Sequence, residues 1–340
     1  MVLMGGKGGV INIGPSVLFR GHVAIQPGAT VMTNQGPVSA PVAVPESSDI
    51  SQTSSSQKNG VMFAKSASAP CKKAVANTPV GILEDIKDPK SIAVSKNGEI
   101  VVAGGSKGRI MVYSEKFEKL LEKKIKELSY CSFVIDQTDT IVAVTVLSIH
   151  KLDMQLNEIM KVSKQQNSSL KELTNPFGVA LGNKGRLYIA GVKKAHIINA
   201  DLTYHSTFAQ KCQAFAIAVN SEGLVYLPLQ TEQTVKVFTP EGEPLFQFGG
   251  PGKEPLPQFS LLVPMSIAID PDNDNVYVGT GMDSVNVFDK VGKFLEVFGS
   301  KGSEPGEFSG LPVTLCIDHK GFIYVGEKSV NRVQIFKLKK

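Results

Sequence analysis

Gly5-Gly-Lys-Gly-Gly-Val10 has the glycine density of a phosphate-cradling loop. Such a loop needs a preceding strand and a Gly-Lys-Ser/Thr ending to set an ammonium and a hydroxyl against phosphate and magnesium. Neither accompanies this run, which reads as a glycine-rich terminus. Asp270-Pro-Asp272-Asn-Asp274-Asn275 opens like a helix–loop–helix calcium site. It lacks the glycine of position six and carries Gly281 where a bidentate glutamate belongs, so a solvated hairpin turn fits better. The five histidines, at 22, 150, 196, 205 and 319, show no metal-ligand spacing, and His319 lies in the polar turn Asp318-His-Lys-Gly321. Cysteines 71, 131, 212 and 316 have neither close pairs nor disulfide-framework spacing, which predicts free thiols and a reducing, cytoplasmic setting. These residues predict no metal, no cofactor and no enzyme.

The elements that must position any other chemistry repeat from Asp88 onward. The clearest copies are Val263-Pro-Met-Ser-Ile-Ala-Ile-Asp270 … Val276-Tyr-Val-Gly279 … Val285-Asn-Val-Phe-Asp289 … Phe294-Leu-Glu-Val-Phe-Gly299, and Leu311-Pro-Val-Thr-Leu-Cys-Ile-Asp318 … Phe322-Ile-Tyr-Val325 … Arg332-Val-Gln-Ile-Phe336. First strands start near residues 90, 131, 177, 215, 265 and 313. Six four-stranded units of about 40–50 residues predict an all-β, six-bladed β-propeller over residues 80–340.

Side chains alternate faces along a strand, and the first strands sort accordingly. One register reads Ser91/Ala93, Ser132/Val134, Gly178/Ala180, Ala216/Ala218, Ser266/Ala268, Thr314/Cys316; the other reads Ile92/Val94, Phe133/Ile135, Val179/Leu181, Ile217/Val219, Ile267/Ile269, Leu315/Ile317. The large set is expected to fill the space between blades, and the small set to let inner strands converge. The sixth copy ends after its third strand. Val80-Gly-Ile-Leu-Glu-Asp-Ile86 has the composition to supply the fourth and close the ring, removing an open edge. Glu115–Leu128 places Phe117, Leu120, Leu121, Ile125 and Leu128 at helical spacing. Repeat register instead assigns Leu120–Glu122 to the outer strand of blade one, and we follow the register.

Residues 1–79 differ in kind. Gly36-Pro-Val-Ser-Ala-Pro-Val-Ala-Val-Pro45 and Ser51-Gln-Thr-Ser-Ser-Ser56 predict a flexible linker over 36–79, and Val17–Phe19 with Val23–Ile25 suggest a short hairpin before it. This segment holds six basic and two acidic side chains, leaving residues 80–340 a net charge of only +1 out of +5. A strongly basic nucleic-acid protein is excluded. No apolar run reaches the roughly 18 residues of a membrane helix, and the first residues lack the apolar core of a signal peptide.

Pro264-x-x-Ile-Ala-Ile-Asp270, Val276-Tyr-Val278, Phe294–Gly299, Gly306-Glu-Phe308 and Asn331-Arg-Val-Gln-Ile-Phe336 resemble the NHL-repeat family. The likeness spans 80–340 and is sharpest in copies four to six. It implies a six-bladed propeller of the kind found at the C-terminus of tripartite-motif proteins, which bind RNA or protein substrates. The RING and B-box modules of such proteins need clustered Cys and His, which this chain lacks. Related propellers include calcium-dependent lactonases and a zinc-dependent amidating lyase. Small or apolar residues fill the inner strands here, offering no such oxygen or imidazole cage.

Binding surfaces remain. Loops joining strands two and three, and those joining consecutive blades, share one face of a propeller. On it fall Lys87, Lys90, Lys107, Arg109, Lys328 and Arg332 around blades six and one, with Lys193 and Lys194 on blade three. Arg109 and Arg332 occupy equivalent positions ahead of a third strand, where charge reversal is expected to spare the core. Lys90, Cys131, Phe177, Phe215, Met265 and Val313 form a collar at the mouth of the inner strands, with Phe177, Phe215 and Met265 its bulkiest apolar members. The expected function is a monomeric interaction scaffold binding a protein partner through this face. The alternatives are single-stranded RNA binding, or substrate recognition in a tripartite-motif-like ubiquitination pathway. Four arginines against 32 lysines weigh against base-specific reading of RNA.

Overall fold

β-branched stretches punctuated by Asn, Asp and Gly favour antiparallel hairpins. In the computed structural model they form them in all six four-stranded or three-stranded sheets after residue 80. It describes residues 10–12, 30–33, 36–39, 78–105, 107–250, 263–281, 283–309 and 312–339. Six antiparallel sheets follow one another as blades of a β-propeller. Their inner strands are Pro89–Val94, Ser132–Ile135, Pro176–Leu181, Ala218–Val219, Ser266–Ile269 and Pro312–Ile317. In blade three the middle of the sheet is one continuous segment, Leu187–Ile198, whose first half pairs with the inner strand and second half with Tyr204–Gln213. No helix among the described residues is long and apolar enough to cross a membrane.

Side-chain size fixes the blade spacing. Each interface sets the small register of one inner strand against the large register of the next: Ala93 with Phe133, Val134 with Val179, Ala180 with Ile217, Ala218 with Ile267, Ala268 with Leu315, and Cys316 with Ile92. At Gly178 a Cβ would come within 2.7 Å of the Ala216 backbone, so only glycine allows this approach. Hydroxyls of the small register also stitch blades together. Ser91 Oγ accepts from the Phe133 N–H at 3.1 Å, and Ser266 Oγ donates to the Pro312 carbonyl at 2.5 Å.

Turns between first and second strands are held by carboxylates. Asp318 Oδ1 accepts the Lys320 and Phe322 N–H groups, and Asp136 Oδ1 accepts those of Thr138 and Thr140. The calcium-like run works in the same way. Asp270 accepts from Asp272 N–H and Asn273, while Asp274 reaches across to the Ser221 N–H and hydroxyl of blade four.

Gly81–Leu83 is the outer strand of blade six, with Val333 opposite Leu83 and Ile335 opposite Gly81. Leu83 and Ile86 are buried between blades six and one. Lys119–Lys124 is the outer strand of blade one, and only Lys126–Leu128 makes a single 3-10 turn. The helical spacing there is incidental: Leu121 and Ile125 pack toward blade two, whereas Leu120 stands in solvent.

In residues 1–66, a separate unit, Val10–Asn12, Thr30–Thr33 and Gly36–Ser39 form a three-stranded sheet. The flexible linker expected over 36–79 is thus a strand at Gly36–Ser39, and its residues 40–77 lie outside the described residues. Pro37 is tolerated because its strand lies at the sheet edge, where a missing N–H breaks no ladder. The hairpin expected at Val17–Ile25 lies outside the described residues.

Candidate functional site

All six inner strands begin at one mouth of the axial channel. There, Lys90, Cys131, Phe177, Phe215, Met265 and Val313 line a cleft of about 840 Å³. Its walls come from the face carrying the blade-to-blade connections and the second-to-third-strand turns. Ser129 and Tyr130 follow blade one, Thr145–Ser148 turn within blade two, and Ser163, Lys164 and Asn175 lead into blade three. Large apolar side chains are exposed along it: Leu147 at 70%, Tyr130 at 63% and Phe177 at 46%. Phe177 and Phe215 meet edge to face at 5.0 Å, and the Gln230 amide lies 3.3 Å from the Met265 sulfur. Cys131 is inert here, because burial pushes its thiol up to about 12. Cys131, Cys212 and Cys316 are free thiols.

The expected basic sector divides. Lys90 and Lys328 reach the cleft, where both lie near Asp88, at 3.6 and 3.7 Å. The Lys90 ammonium also sits 3.7 Å from the centre of the Tyr130 ring, holding that aromatic at the rim. Lys161, on the outer strand of blade two, and Lys164, in the turn just after it, join them. Lys161 pairs with Glu127 at 2.5 Å, and burial lowers the Lys164 pKa. Lys87 and Lys107 are exposed and stand outside the cleft.

Both arginines are engaged within the molecule. Arg109 forks onto Glu122 at 2.7 and 2.9 Å and donates to the Asp85 carbonyl, and its guanidinium holds the Glu122 carboxyl down at about 2. Arg332 donates to Glu327 at 2.7 Å and to the carbonyls of Ser303 and Glu307. Glu327 is 0% exposed and also accepts from Gln334 and the Ser309 N–H. The expectation that reversing Arg332 would spare the core is therefore corrected. A glutamate there would face a buried carboxylate and release the Ser303–Glu307 segment. Lys193 is exposed in blade three, and Lys194 pairs with Glu172.

Blade two carries a polar relay that composition and spacing do not flag. Ser148 Oγ lies 2.7 Å from His150 Nε2, and His150 Nδ1 lies 2.8 Å from Glu158 Oε2. Thr145 Oγ1 is 3.1 Å from Ser148 Oγ and accepts the Ser148 N–H. The possible ligand atoms of Glu127, His150 and Glu158 lie within 4.8 Å of one another, with the Lys161 ammonium already against Glu127. The available sequence signal was Ser148-x-His150 on a third strand, where period two puts both side chains on one face.

No family model matches the chain, and no curated protein matches it in sequence. Solved structures do match. A streptogramin B lyase superposes with a TM-score of 0.54 at 13% identity, covering 76% of this chain and 98% of that one. A catalytically inactive virginiamycin B lyase from Staphylococcus aureus, solved with quinupristin, gives 0.53 at 12%, covering 76% and 99%. A protein of unknown function from Bacteroides thetaiotaomicron gives 0.59 at 13%, covering 78% and 73%. The sequence-based expectation of no enzyme is corrected by these matches, because this propeller fold is one that lyases use. What the chain shares with all three is the β-propeller.

Proposed function

We propose that this protein is an NHL-type propeller that docks a protein partner in the cleft at the channel mouth. The observation that carries the reading is the wall of exposed Tyr130, Leu147 and Phe177 around a cavity of about 840 Å³. Pockets of this size enclose a ligand or a short peptide segment, and exposed aromatic anchors dominate binding energy in such sites. Four lysines against two carboxylates, Asp88 and Glu127, favour an acidic segment with one bulky apolar side chain. Asn331-Arg-Val-Gln-Ile-Phe336 and Gly306-Glu-Phe308 support the NHL-type assignment. Single-stranded RNA is the weaker reading, since the guanidinium forks of Arg109 and Arg332 are spent on Glu122 and Glu327.

A photo-crosslinker at position 147, used in native extract with and without RNase, tests this. A single protein crosslinked through an acidic segment is expected, unaffected by RNase. Phe177→Asp should reduce capture about tenfold or more, the effect of losing one anchor of about 1.4 kcal/mol. Capture that RNase abolishes, or that ignores Phe177→Asp, would exclude protein docking at this cleft.

A further inference from the structure

Ser148 and His150 leave one strand on the same face, and a bulge between Lys151 and Leu152 shifts the outer strand so that Glu158 meets the imidazole. A carboxylate only accepts, so Glu158 places the proton on His150 Nδ1. The Nε2 lone pair then receives the Ser148 hydroxyl. His150 is fully buried, and Ser148, itself 5% exposed, lies at the cleft wall. A hydroxyl bonded to an imidazole that a carboxylate orients is the arrangement of an activated nucleophile. We propose that Ser148 is a catalytic nucleophile, with His150 its general base and Glu158 a positioning residue, acting on carboxylic esters with an apolar acyl group.

Comparison among blades separates this from a packing device. Blade five repeats the hydroxyl pair, with Thr280 Oγ1 and Ser284 Oγ 3.2 Å apart, but has Asn286 where blade two has His150. Ser284 lies away from the cleft. The position therefore does not require imidazole to fold, and blade two places its base behind a serine that lines the cleft. The apolar wall of Tyr130, Leu147 and Phe177 suits an aliphatic or aromatic acyl chain. Lys161, the register partner of His150, also lines the cleft, with its ammonium against Glu127.

In the acylation step, Ser148 Oγ bonds to the acyl carbon while its proton passes to His150 Nε2. The acyl–alkoxy bond then breaks, and that proton leaves with the alcohol. Water, activated by the same imidazole, adds to the acyl-enzyme, releases the carboxylic acid and returns the proton to Ser148. This activity shares the cleft with the docking reading but does not depend on it.

The test uses the full chain and an alkyl fluorophosphonate, with adducts located by mass spectrometry. One adduct on Ser148 is expected, absent in Ser148→Ala. His150→Asn copies the residue blade five already carries and should keep the fold while slowing labelling about 100-fold or more. Glu158→Ala should slow labelling about tenfold or more at an unchanged melting temperature, and Glu158→Gln, whose amide oxygen still accepts from His150 Nδ1, should restore part of that rate. A folded wild type that takes no adduct at Ser148, or equal labelling in His150→Asn, would overturn the proposal. So would labelling abolished by EDTA, which would assign His150 to a metal. None of these outcomes bears on capture by the Leu147 crosslinker.

Discussion

Two residues carry opposite lessons about charge. His196 is 0% exposed, accepts the Thr174 N–H at Nε2 and lies 3.1 Å from the Tyr204 hydroxyl at Nδ1. Burial, with Lys194 nearby, lowers its pKa to about 4. A histidine held neutral in the fold contributes its full share of stability above the unfolded value near 6.5. That share is lost as the pH falls toward 4, because only the unfolded chain takes up the proton. The loss should total about 3 kcal/mol. Urea unfolding of wild type and His196→Gln between pH 7.5 and 4 should show a flatter dependence in the variant, and parallel curves would exclude the assignment. Arg332 is the reverse case, a cation retained by a buried anion. Arg332→Ala should cost about 3–5 kcal/mol by stranding Glu327. Arg109→Ala should cost about 1 kcal/mol or less, because Glu122 keeps access to water. Equal losses in denaturation would contradict this ordering.

At the level of elements, blades are joined by polar side chains as well as by their faces. Asp274 in the blade-five turn accepts at 2.9 Å from the Ser221 N–H and at 2.7 Å from its hydroxyl. Asp274→Ala should remove about 2 kcal/mol, as for a pair of bonds to an ionised acceptor. An unchanged urea midpoint would show that blades four and five hold together by apolar contact alone. The blades themselves were legible in the sequence, because strand period and the small/large alternation of Ser91/Ala93 against Ile92/Val94 are local patterns. The collar of Phe177, Phe215 and Met265 was legible too, since equal repeat positions must converge at one mouth. The Ser148–His150–Glu158 relay was not. Two of its members sit on one strand, but the third arrives through a bulge at Lys151/Leu152 that no local pattern announces. Likewise, nothing in the order of residues says that Arg109 spends its fork on Glu122, thirteen positions away on the neighbouring strand.

For the whole molecule, stability turns on ring closure. Gly81–Leu83 completes blade six, and the Val80 and Ile86 N–H groups donate to the Ile335 and Asn331 carbonyls on the third strand and its lead-in. Leu83 and Ile86 seal the interface with blade one, alongside Met111, Tyr113, Val333 and Ile335. Removing residues 1–79 touches none of this and should leave the melting temperature unchanged. Removing residues 1–88 uncovers an apolar blade face and a strand edge at once. Loss of two buried aliphatic side chains alone should cost about 4–10 kcal/mol, comparable with the roughly 5–15 kcal/mol that holds a domain folded. The shorter chain should therefore unfold cooperatively at lower temperature. A synthetic peptide spanning residues 78–90 should raise its melting temperature in a concentration-dependent way, by adding a strand to the exposed edge of Arg332–Lys337. Equal melting of the two truncations, or indifference of the shorter one to the peptide, would mean that the ring is stable without its N-terminal strand.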